Sequence, residues 1–197
     1  MSTLSIKIVN TFDALLEEAK GSGDPEPTAM TLATVDENGQ PSARTVLLKE
    51  FDERGFTFYT NFDSRKGRQL SANPRAALLF HWKLIRNGIQ VLVEGHTVPV
   101  SAAEANAYFA LRPRPSQVGA WASLQSQTLE SREVFEQRIT ETEQRFEGVP
   151  VPRPPHWSGF RVVPNMIEFW YGANFRLHER LRYELVNGRW QKRMLYP

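Results

Sequence analysis

The sequence predicts a mainly β protein, an antiparallel β-barrel with peripheral helices. From Met30 onward, short runs rich in β-branched and aromatic residues follow one another, and turns such as DENG, DERG and RNG separate several of them. Strands joined by tight turns pair antiparallel, and five or more in series form a barrel or a sandwich. With 197 residues, of which 41% are hydrophobic, the chain is expected to bury a substantial core within one domain.

The first element is predicted to be a helix, because apolar residues recur at helical spacing from Phe12 onward. Asn10 or Thr11 is expected to cap its start, and Gly21 is expected to end it. The segment GSGDPEPTA that follows is a flexible connection. Residues 1–27 are therefore predicted to be an N-terminal helix and linker.

The remaining elements follow from local patterns in the same way. Strands are predicted for MTLATV, SARTVLLKEF, GFTFYTNF, RAALLFHW, IQVLVEGHTVPV, GFRVV, MIEFWYG, RLRYELV and RWQKRML. Helices are predicted for SRKGRQLSAN with Ser64 as its cap, for SAAEANAYFALR with a capping box from Ser101 to Glu104, and for residues 131–146. The proline-rich GVPVPRPPHW is expected to be a linker or an extended surface segment.

Composition excludes several classes of protein and site. The chain has no cysteine, so disulfides, thiolate nucleophiles and cysteine metal sites are excluded, and its four histidines lack metal-ligand spacing. The 24 basic and 22 acidic residues alternate, which argues against a nucleic-acid partner and favours a small anion held at a few points. P-loop, dinucleotide-binding and GxSxG motifs are missing. No apolar run could span a membrane and the first residues do not resemble a signal peptide, so a cytoplasmic protein is expected.

Two polar segments lie where a ligand could be held. DSRKG places Arg65 and Lys66 at the start of a predicted helix, where free backbone N–H groups and the helix dipole already favour an anion. Cations there are unfavourable for the helix itself, which favours a phosphate site, although an exposed basic first turn is the alternative. SLQSQ offers Gln125 and Ser126, uncharged groups that suit the edge of a heteroaromatic ring and equally suit any loop.

Two further segments combine cations with hydroxyl groups or apolar strand residues. In YFALRPRPS, Tyr108 and Arg112 are four residues apart on one helical face, and Ser116 follows. This set suits a phosphate monoester, and it also suits an ordinary amphipathic helix end. In ARTVLLK, strict strand alternation puts Arg44 and Lys49 on opposite faces, so the two are expected to serve different groups.

The C-terminal segment FWYGANFRLHER concentrates cationic and aromatic side chains. If it is extended, Arg176, His178 and Arg180 alternate on one face with Trp170 beside them. Such a face is either solvated, or it stacks on and polarises a ring.

Taken in order, the motifs RTVLLK, FYTN, SRKGRQL, YFxxRPxxSQxGAW, QS and FWYGxxFRLHERLRY strongly resemble the pyridoxamine (pyridoxine) 5′-phosphate oxidase family. The resemblance covers residues 28–197, which are expected to form the oxidase domain. It implies an FMN-binding split β-barrel and a homodimer with FMN at the subunit interface. It also implies oxidation of pyridoxamine 5′-phosphate and pyridoxine 5′-phosphate to pyridoxal 5′-phosphate, with O2 reduced to H2O2. The chain departs from the family pattern in the hairpin KLIRNGIQ after Trp82, which is longer, and at Ile89, where the family often has an arginine.

The resemblance implies a role for each site residue by matching motif positions. The implied cofactor-binding residues are Arg44, Thr45, Val46, Leu47, Leu48, Lys49, Tyr59, Thr60, Arg65, Lys66, Gln90, Gln125, Ser126, Trp170 and Arg180. The implied substrate-binding residues are Lys49, Tyr108, Arg112, Ser116, Arg176, Leu177 and His178. Arg176 and His178 are the implied catalytic pair over the pyridine ring, with His178 as a positioning group rather than a general base.

Two alternatives to this oxidase are open. One is a related split-barrel flavin oxidase that acts on another heteroaromatic ring, such as an enzyme of phenazine synthesis. The other is a non-catalytic binder of pyridoxal 5′-phosphate. Tyr108, Arg112 and Ser116 argue against the first, because a substrate without phosphate needs no phosphate clamp.

Overall fold

Nine antiparallel strands form one sheet that is the centre of the fold. The computed structural model describes residues 3–197. The strands are β1 Ala29–Val35, β2 Pro41–Leu47, β3 Glu50–Asp52, β4 Gly55–Asn61, β5 Arg75–Trp82, β6 Ile89–Pro99, β7 Trp157–Tyr171, β8 Glu179–Val186 and β9 Arg189–Leu195. They are ordered β2-β1-β5-β6-β7-β4-β3, with β8 paired to β7 and β9 paired to β8. The predicted antiparallel, mainly β class is confirmed.

Five α-helices lie around the sheet. They are α1 Ile6–Lys20, α2 Arg65–Ala72, α3 Ala102–Leu111, α4 Arg114–Ala122 and α5 Arg132–Arg145, and Asn174–Arg176 forms a short 3-10 turn. The two caps predicted for α2 and α3 are present: Ser64 accepts from the Gly67 N–H, and Ser101 forms the capping box with Glu104. Ser131 caps α5 by accepting from the Val134 N–H, a cap that was not predicted. Within residues 3–197, none of the helices is both long enough and apolar enough to cross a bilayer.

The start predicted for α1 was wrong. The helix begins at Ile6 after Ser5 rather than near Asn10 or Thr11, and it ends at Gly21 as predicted. Its apolar face extends further toward the N-terminus because Ile8 is fully buried. The Thr11 hydroxyl donates to the Lys7 carbonyl inside the helix, so it does not act as a cap.

Three other boundaries differ from the sequence prediction. The run SARTVLLKEF is two strands, β2 and β3, because Leu48 turns into the core and its N–H donates to the Thr28 carbonyl. The runs GFRVV and MIEFWYG are one continuous strand, β7. Helix α4 was missed: the Arg-Pro-Arg-Pro sequence reads as a break, but Pro115 lies in the first turn, where its missing N–H removes no helical hydrogen bond.

Two clusters of buried side chains form the core. The larger lies between α1 and the sheet, where Phe12 packs with its ring centroid 5.0 Å from Phe56 and 5.1 Å from Phe80. The smaller lies between β7 and helices α3 to α5 and includes Phe109 and Trp157. Helix α1 therefore shares the main core with the barrel.

Glu104 of the α3 capping box also forms an ion pair with Arg161 of the sheet. Glu104 accepts hydrogen bonds from the Ser101 N–H at 2.9 Å and from the buried Arg161 Nη2 at 2.8 Å. The Arg161 hydrogen bond and the bonds from Ser101 lower the pKa of Glu104 from 4.5 to about 2. The carboxylate thus joins the start of α3 to the middle of β7.

We expect Glu104→Gln to lower the free energy of unfolding by about 1–3 kcal/mol at pH 7, because it removes a charge that the folded state favours. A pKa lowered by folding contributes stability above the ordinary value of 4.5 and loses it as the pH falls toward 2. The difference in free energy of unfolding between the wild type and Glu104→Gln, measured by denaturant unfolding, should therefore be less than half as large at pH 3 as at pH 7. The exposed Glu147 serves as a matched Glu→Gln control, and an equal Glu104 effect at both pH values would contradict the assignment.

Candidate active site

Three cations meet where β4 leads into α2, and we call Arg44, Arg65 and Lys66 the cationic cluster. The Lys66 ammonium group donates to Gln125 Oε1 at 2.9 Å and to Thr60 Oγ1 at 3.1 Å. All acceptors of this ammonium group are uncharged. The predicted residues Thr60 and Gln125, which are far apart in the sequence, therefore come together around Lys66.

Arg44 reaches the same place from β2. Its guanidinium donates to Thr34 Oγ1 at 2.5 Å and to Gln69 Oε1 at 3.3 Å, and both acceptors are buried and uncharged. Burial and the charge of Arg65 lower the pKa of Arg44. Burial and the charge of Arg44 lower the pKa of Lys66. The cluster therefore holds mutually repelling positive charges that a bound anion would stabilise.

A glycine brings the helix start close to the strand end. A Cβ atom on Gly67 would lie 2.2 Å from the Phe62 carbonyl oxygen, so no other residue fits without moving the backbone. The Ser64 side chain accepts from the Gly67 N–H and caps α2, whose first turn carries Arg65 and Lys66. Helix dipole and side chains thus favour an anion at one point, such as the phosphate of FMN.

Arg112, a cation outside the cationic cluster, lies against three nearly parallel rings. These are Tyr108, Tyr59 and Trp157, which we call the aromatic column. The Tyr59 ring is 4.1 Å from Tyr108 and 5.3 Å from Trp157, and all three rings are nearly parallel. The guanidinium carbon of Arg112 is 4.7 Å from the Trp157 ring. Tyr59, predicted to bind the cofactor, thus lies in the column, whereas its neighbour Thr60 points to Lys66.

Arg112 lacks the acceptor that a buried guanidinium needs. Its Nη1 is buried and has no hydrogen-bond partner among the described residues. Burial lowers the pKa of Arg112. Arg112 ends α3, and Ser116 lies exposed in the first turn of α4, so the predicted pair meets where the two helices join. This geometry suits a second anion.

Lys49 lies beside the aromatic column. It is exposed and follows the end of β2, and its N–H donates to the Thr57 carbonyl at 2.9 Å. The next residue, Glu50, accepts from the Tyr59 hydroxyl at 3.0 Å. Burial and Glu50 raise the pKa of Tyr59, so the phenol stays protonated. Because the strand breaks after Leu47, the alternation that separated Arg44 from Lys49 does not run through both residues.

A third set of predicted residues forms a row across the sheet. Gln90 on β6, Trp170 on β7 and Arg180 on β8 are directly opposite one another, so their side chains share one face. Arg180 Nε donates to Glu168 Oε1 at 2.7 Å, and Glu168 is only 5% exposed. Although burial alone raises the pKa of Glu168, hydrogen bonds from Arg180 and Arg182 lower it overall. Glu168 therefore stays ionised and fixes Arg180.

The predicted catalytic pair lies in the loop after β7, which is not extended as the alternation assumed. Arg176 is exposed in the 3-10 turn with φ 62°, and Phe175 before it has φ 56°. His178 packs on Trp170 with ring centroids 4.4 Å apart. The Ala173 N–H donates to His178 Nδ1 at 3.1 Å, so a neutral imidazole carries its proton on Nε2. Leu177 is 69% exposed in the same loop.

The remaining predicted cofactor residues lie beside these sets. Thr45 is exposed on β2, Val46 and Leu47 are half-buried, and Leu48 is buried. Ser126 follows Gln125 in the loop after α4 with φ 72°. These positions remain predictions as ligand contacts.

Two residues that support the site were not predicted. Trp157 carries Arg112 on its ring, and its only signal is an aromatic residue after a proline-rich segment. Glu168 is an acid within the apolar run MIEFWY, which signals a buried charge that needs a partner. The partners in both cases come from other elements, so the sequence alone does not identify them.

The predicted site residues lie at the two ends of β7. Arg112 and the aromatic column are at Trp157, the first residue of the strand, and Ser158 lies opposite Thr60. Trp170 and the loop that carries Arg176 and His178 are at the other end. The twelve residue steps from Ser158 to Trp170 correspond to roughly 40 Å along the chain. The residues predicted to bind phosphate and those predicted to bind the rings are therefore far apart along the same strand of one chain.

Comparison with known proteins identifies the family of the chain. The family described as "Pyridoxamine 5'-phosphate oxidase" matches residues 16–146, and "Pyridoxine 5'-phosphate oxidase C-terminal dimerisation region" matches residues 157–197. A relative from Xanthomonas euvesicatoria pv. vesicatoria (strain 85-10), named "Pyridoxine/pyridoxamine 5'-phosphate oxidase", is 60% identical over 199 residues, which cover 100% of both chains.

Solved structures agree with this fold. PhzG from Burkholderia lata 383, in complex with tetrahydrophenazine-1-carboxylic acid, matches with a TM-score of 0.90 and 34% identity over 96% of this chain and 92% of PhzG. A pyridoxamine 5'-phosphate oxidase-related, FMN binding protein from Nostoc punctiforme PCC 73102 matches with a TM-score of 0.75 and 17% identity over 95% of this chain and 96% of its own. The second likeness concerns the fold alone. With family matches over most of its length and a relative at 60% identity, the chain belongs to the pyridoxamine 5′-phosphate oxidase family of oxidoreductases.

Proposed function

We propose that the chain is an FMN-dependent oxidase that converts pyridoxamine 5′-phosphate and pyridoxine 5′-phosphate to pyridoxal 5′-phosphate, with O2 reduced to H2O2. The observation that carries this proposal is the presence of two separate cationic sites without acidic partners. One is the cationic cluster, and the other is Arg112 with its buried, unpartnered Nη1. Two phosphorylated ligands that meet, a cofactor and a substrate, account for both sites.

The residues of the cationic cluster fit the phosphate of FMN. Lys66 and Arg44 offer charged donors held by uncharged neighbours, and the first turn of α2 adds backbone N–H groups. Gln90, Trp170 and Arg180 offer a ring face, an amide and a cation that suit the flavin ring. When bound, FMN supplies the two-electron acceptor, and O2 takes up the electrons as H2O2.

Arg112 is the centre of the proposed substrate clamp. The Trp157 ring holds its guanidinium on one side, and the unpartnered Nη1 could donate to a phosphate oxygen once the atoms that cover it move aside. Tyr108, Ser116 and Lys49 add two hydroxyl groups and a second cation nearby. A clamp on the phosphate fixes one end of the substrate and leaves C4′ to be aligned by the ring-binding residues.

Arg176 and His178 are proposed to hold the pyridine ring. The His178 Nδ1 is occupied by the Ala173 N–H, so the imidazole can offer an Nε2–H to the ring substituents but no free lone pair at Nδ1. This tautomer supports a positioning role rather than a general-base role. The Arg176 guanidinium would stabilise negative charge that develops at the ring during oxidation.

We further propose that one active site needs two chains. The substrate clamp lies at the start of β7 and the ring-binding residues lie beyond its end, too far apart along the strand for one small substrate. The match to a C-terminal dimerisation region supports a homodimer. In such a dimer, one chain would supply the phosphate clamps and its partner would supply the ring-binding residues.

A phenazine-forming oxidase is the second candidate, because the chain is 34% identical to PhzG with a TM-score of 0.90. The unpartnered Arg112 Nη1 favours the phosphorylated substrate, since a buried cation without an anion is unfavourable. A non-catalytic binder of pyridoxal 5′-phosphate would need one phosphate site, whereas two cationic sites support two phosphorylated ligands.

Absorbance spectroscopy tests the proposal directly. We expect the purified protein to show flavin absorbance, and pyridoxamine 5′-phosphate to bleach it without oxygen. Admitted O2 should then restore the colour with one H2O2 per turnover. Unphosphorylated pyridoxamine serves as the matched control and should bleach far more slowly. Bleaching by a reduced phenazine carboxylate alone would favour the second candidate, and a colourless protein that binds pyridoxal 5′-phosphate would favour the binder.

We expect Lys66→Ala to weaken FMN binding by about tenfold to a hundredfold, because it removes a charge-assisted contact to the cofactor phosphate. Fluorescence quenching of free FMN measures the affinity. At saturating FMN, the KM for pyridoxamine 5′-phosphate should stay close to the wild-type value. Lys7→Ala, an exposed lysine on α1, is the control. Unchanged FMN affinity in Lys66→Ala would overturn the assignment of the cationic cluster.

A further inference from the structure

We propose that Gly172, together with Asn87 and Gly88 of the β5–β6 hairpin, forms a backbone latch that positions the loop carrying Arg176 and His178. This inference rests on the proposed function, because it assigns the loop to the substrate ring. The three residues are positioning residues, since none of them is proposed to contact substrate or cofactor.

The latch is a close contact between two backbones. The Gly172 N–H donates to the Gly88 carbonyl at 2.8 Å. A Cβ atom on Gly172 would lie 2.0 Å from the Asn87 carbonyl oxygen and 2.8 Å from its carbonyl carbon. Both obstacles are backbone atoms, which cannot rotate away as a side chain can. Glycine is therefore required at 172 by the closeness of the hairpin.

The hairpin is held firmly enough to act as a fixed support. Ile85 is 3% exposed in the main core, and the Gly88 N–H donates to its carbonyl at 2.9 Å. The Arg86 guanidinium donates to the Glu18 carboxylate on α1 with its Nη2 at 2.9 Å, and its carbon lies 5.7 Å from the Tyr171 ring. Core, helix and β7 thus fix the hairpin from three sides.

The loop beyond the latch needs such a support. Phe175 and Arg176 have φ of 56° and 62°, values that residues with a Cβ adopt only when their surroundings impose them. Two hydrogen bonds close the loop on itself, from the Ala173 N–H to His178 Nδ1 and from the Leu177 N–H to the Asn174 carbonyl. Among the described residues, the bond from Gly172 is the hydrogen bond that ties this loop to another element.

The position of the ring-binding residues therefore depends on the hairpin. A displacement at Gly172 shifts Ala173, which loses its bond to His178, and it releases the backbone that holds Arg176. Small misplacements of groups that orient a substrate lower turnover strongly while leaving a distant phosphate clamp intact.

The test is Gly172→Ala, compared with Gly21→Ala. A Cβ atom on Gly21 would meet nothing closer than 3.6 Å, and its φ of −80° suits alanine. We expect Gly172→Ala to lower kcat for pyridoxamine 5′-phosphate by about tenfold to a hundredfold, with FMN affinity and KM changed by less than about threefold. Gly21→Ala should behave as wild type.

A readout independent of turnover separates the latch from the proposed function. Nitrogen-15 NMR of the imidazole, assigned with His178→Gln, should show a shifted His178 Nδ1 signal in Gly172→Ala because the Ala173 hydrogen bond is lost. An unchanged signal together with unchanged kcat in the folded variant would overturn the latch. If the signal shifts in Gly172→Ala but the wild-type protein does not oxidise pyridoxamine 5′-phosphate, the latch is supported and the proposed function is contradicted.

A second variant covers the case in which Gly172→Ala does not fold. Arg86→Ala removes an exposed side chain that anchors the hairpin to Glu18. We expect hydrogen–deuterium exchange at residues 172–178 to rise about threefold or more in this variant, while exchange in β8 stays unchanged. Rapid exchange of the Gly172 amide in the wild-type protein, or no change in Arg86→Ala, would contradict the latch.

Discussion

Arg112→Ala is expected to lower kcat/KM for pyridoxamine 5′-phosphate by about a hundredfold to a thousandfold, because it leaves the substrate phosphate without its buried cationic partner. The expectation follows from the buried Nη1, which has no acceptor within residues 3–197, and from the Trp157 ring that holds the guanidinium in place. The loss should lie mainly in KM, since the clamp binds the phosphate equally in the ground state and the transition state. Steady-state kinetics at saturating FMN measure it.

Matched variants distinguish binding from folding. Arg114 is two residues further on and donates to the carbonyl groups of Val149 and Phe146, so Arg114→Ala should lower stability with little change in KM. Arg112→Lys keeps the charge but not the flat contact with Trp157, and it should recover only part of the affinity. A loss of FMN affinity in Arg112→Ala as large as the loss of kcat/KM would place Arg112 at the cofactor instead.

The proposed phosphate site at α2 could be predicted from a few adjacent residues. A helix start, a capping serine and two cations lie within DSRKG, and each of these signals is local. The structure adds Arg44, Thr60 and Gln125 to the same point, which requires three other elements. Their approach to Lys66 depends on strand pairing and on a loop after α4, and neither leaves a periodic trace in the sequence.

The loop after β7 shows why strand alternation did not predict the side-chain directions of Arg176 and His178. Alternation predicts side-chain direction only while the backbone stays extended, and positive φ at Phe175 and Arg176 turns the chain before β8 begins. Neither residue is glycine or asparagine, so composition gave no warning of a left-handed turn. The proposed support for this turn is the contact of Gly172 with Asn87 and Gly88 of the hairpin, which is distant in the sequence.

The sequence indicates that β7 carries a buried acid, but it does not identify the residues that pair with that acid. An acid within MIEFWY must be paired if the strand is buried, and Glu168 is paired with Arg180 and Arg182 of the next strand. The register of β7 against β8 decides which arginines it meets. A shift of one residue would have moved both cations to the other face.

The largest recovery of activity is expected when two inactive variants share one dimer. If the clamp of one chain works with the loop of its partner, a heterodimer of Arg112→Ala and Arg176→Ala contains one site with both arginines and one site with neither. At substrate concentrations well below the KM of Arg112→Ala, the isolated heterodimer should then have about half the activity of the wild-type dimer, and a random mixture about a quarter. Each parent homodimer lacks the same arginine at both sites and should stay nearly inactive.

The control pairs two defects from the same end of β7. Tyr108 and Arg112 both belong to the clamp beside Trp157, so a heterodimer of Tyr108→Ala and Arg112→Ala has one defect at each site and should recover nothing. Differently tagged chains, co-expressed and purified over both tags, supply the heterodimers, and the rate of H2O2 release measures them. Equal rates for the two heterodimers would mean that Arg112 and Arg176 serve the same site from one chain. In that case β7 would have to bend enough to bring its ends together. Its register shift lies between Pro164 and Met166, and its pairing with β4 on one side of that shift and with β8 on the other opposes such a bend.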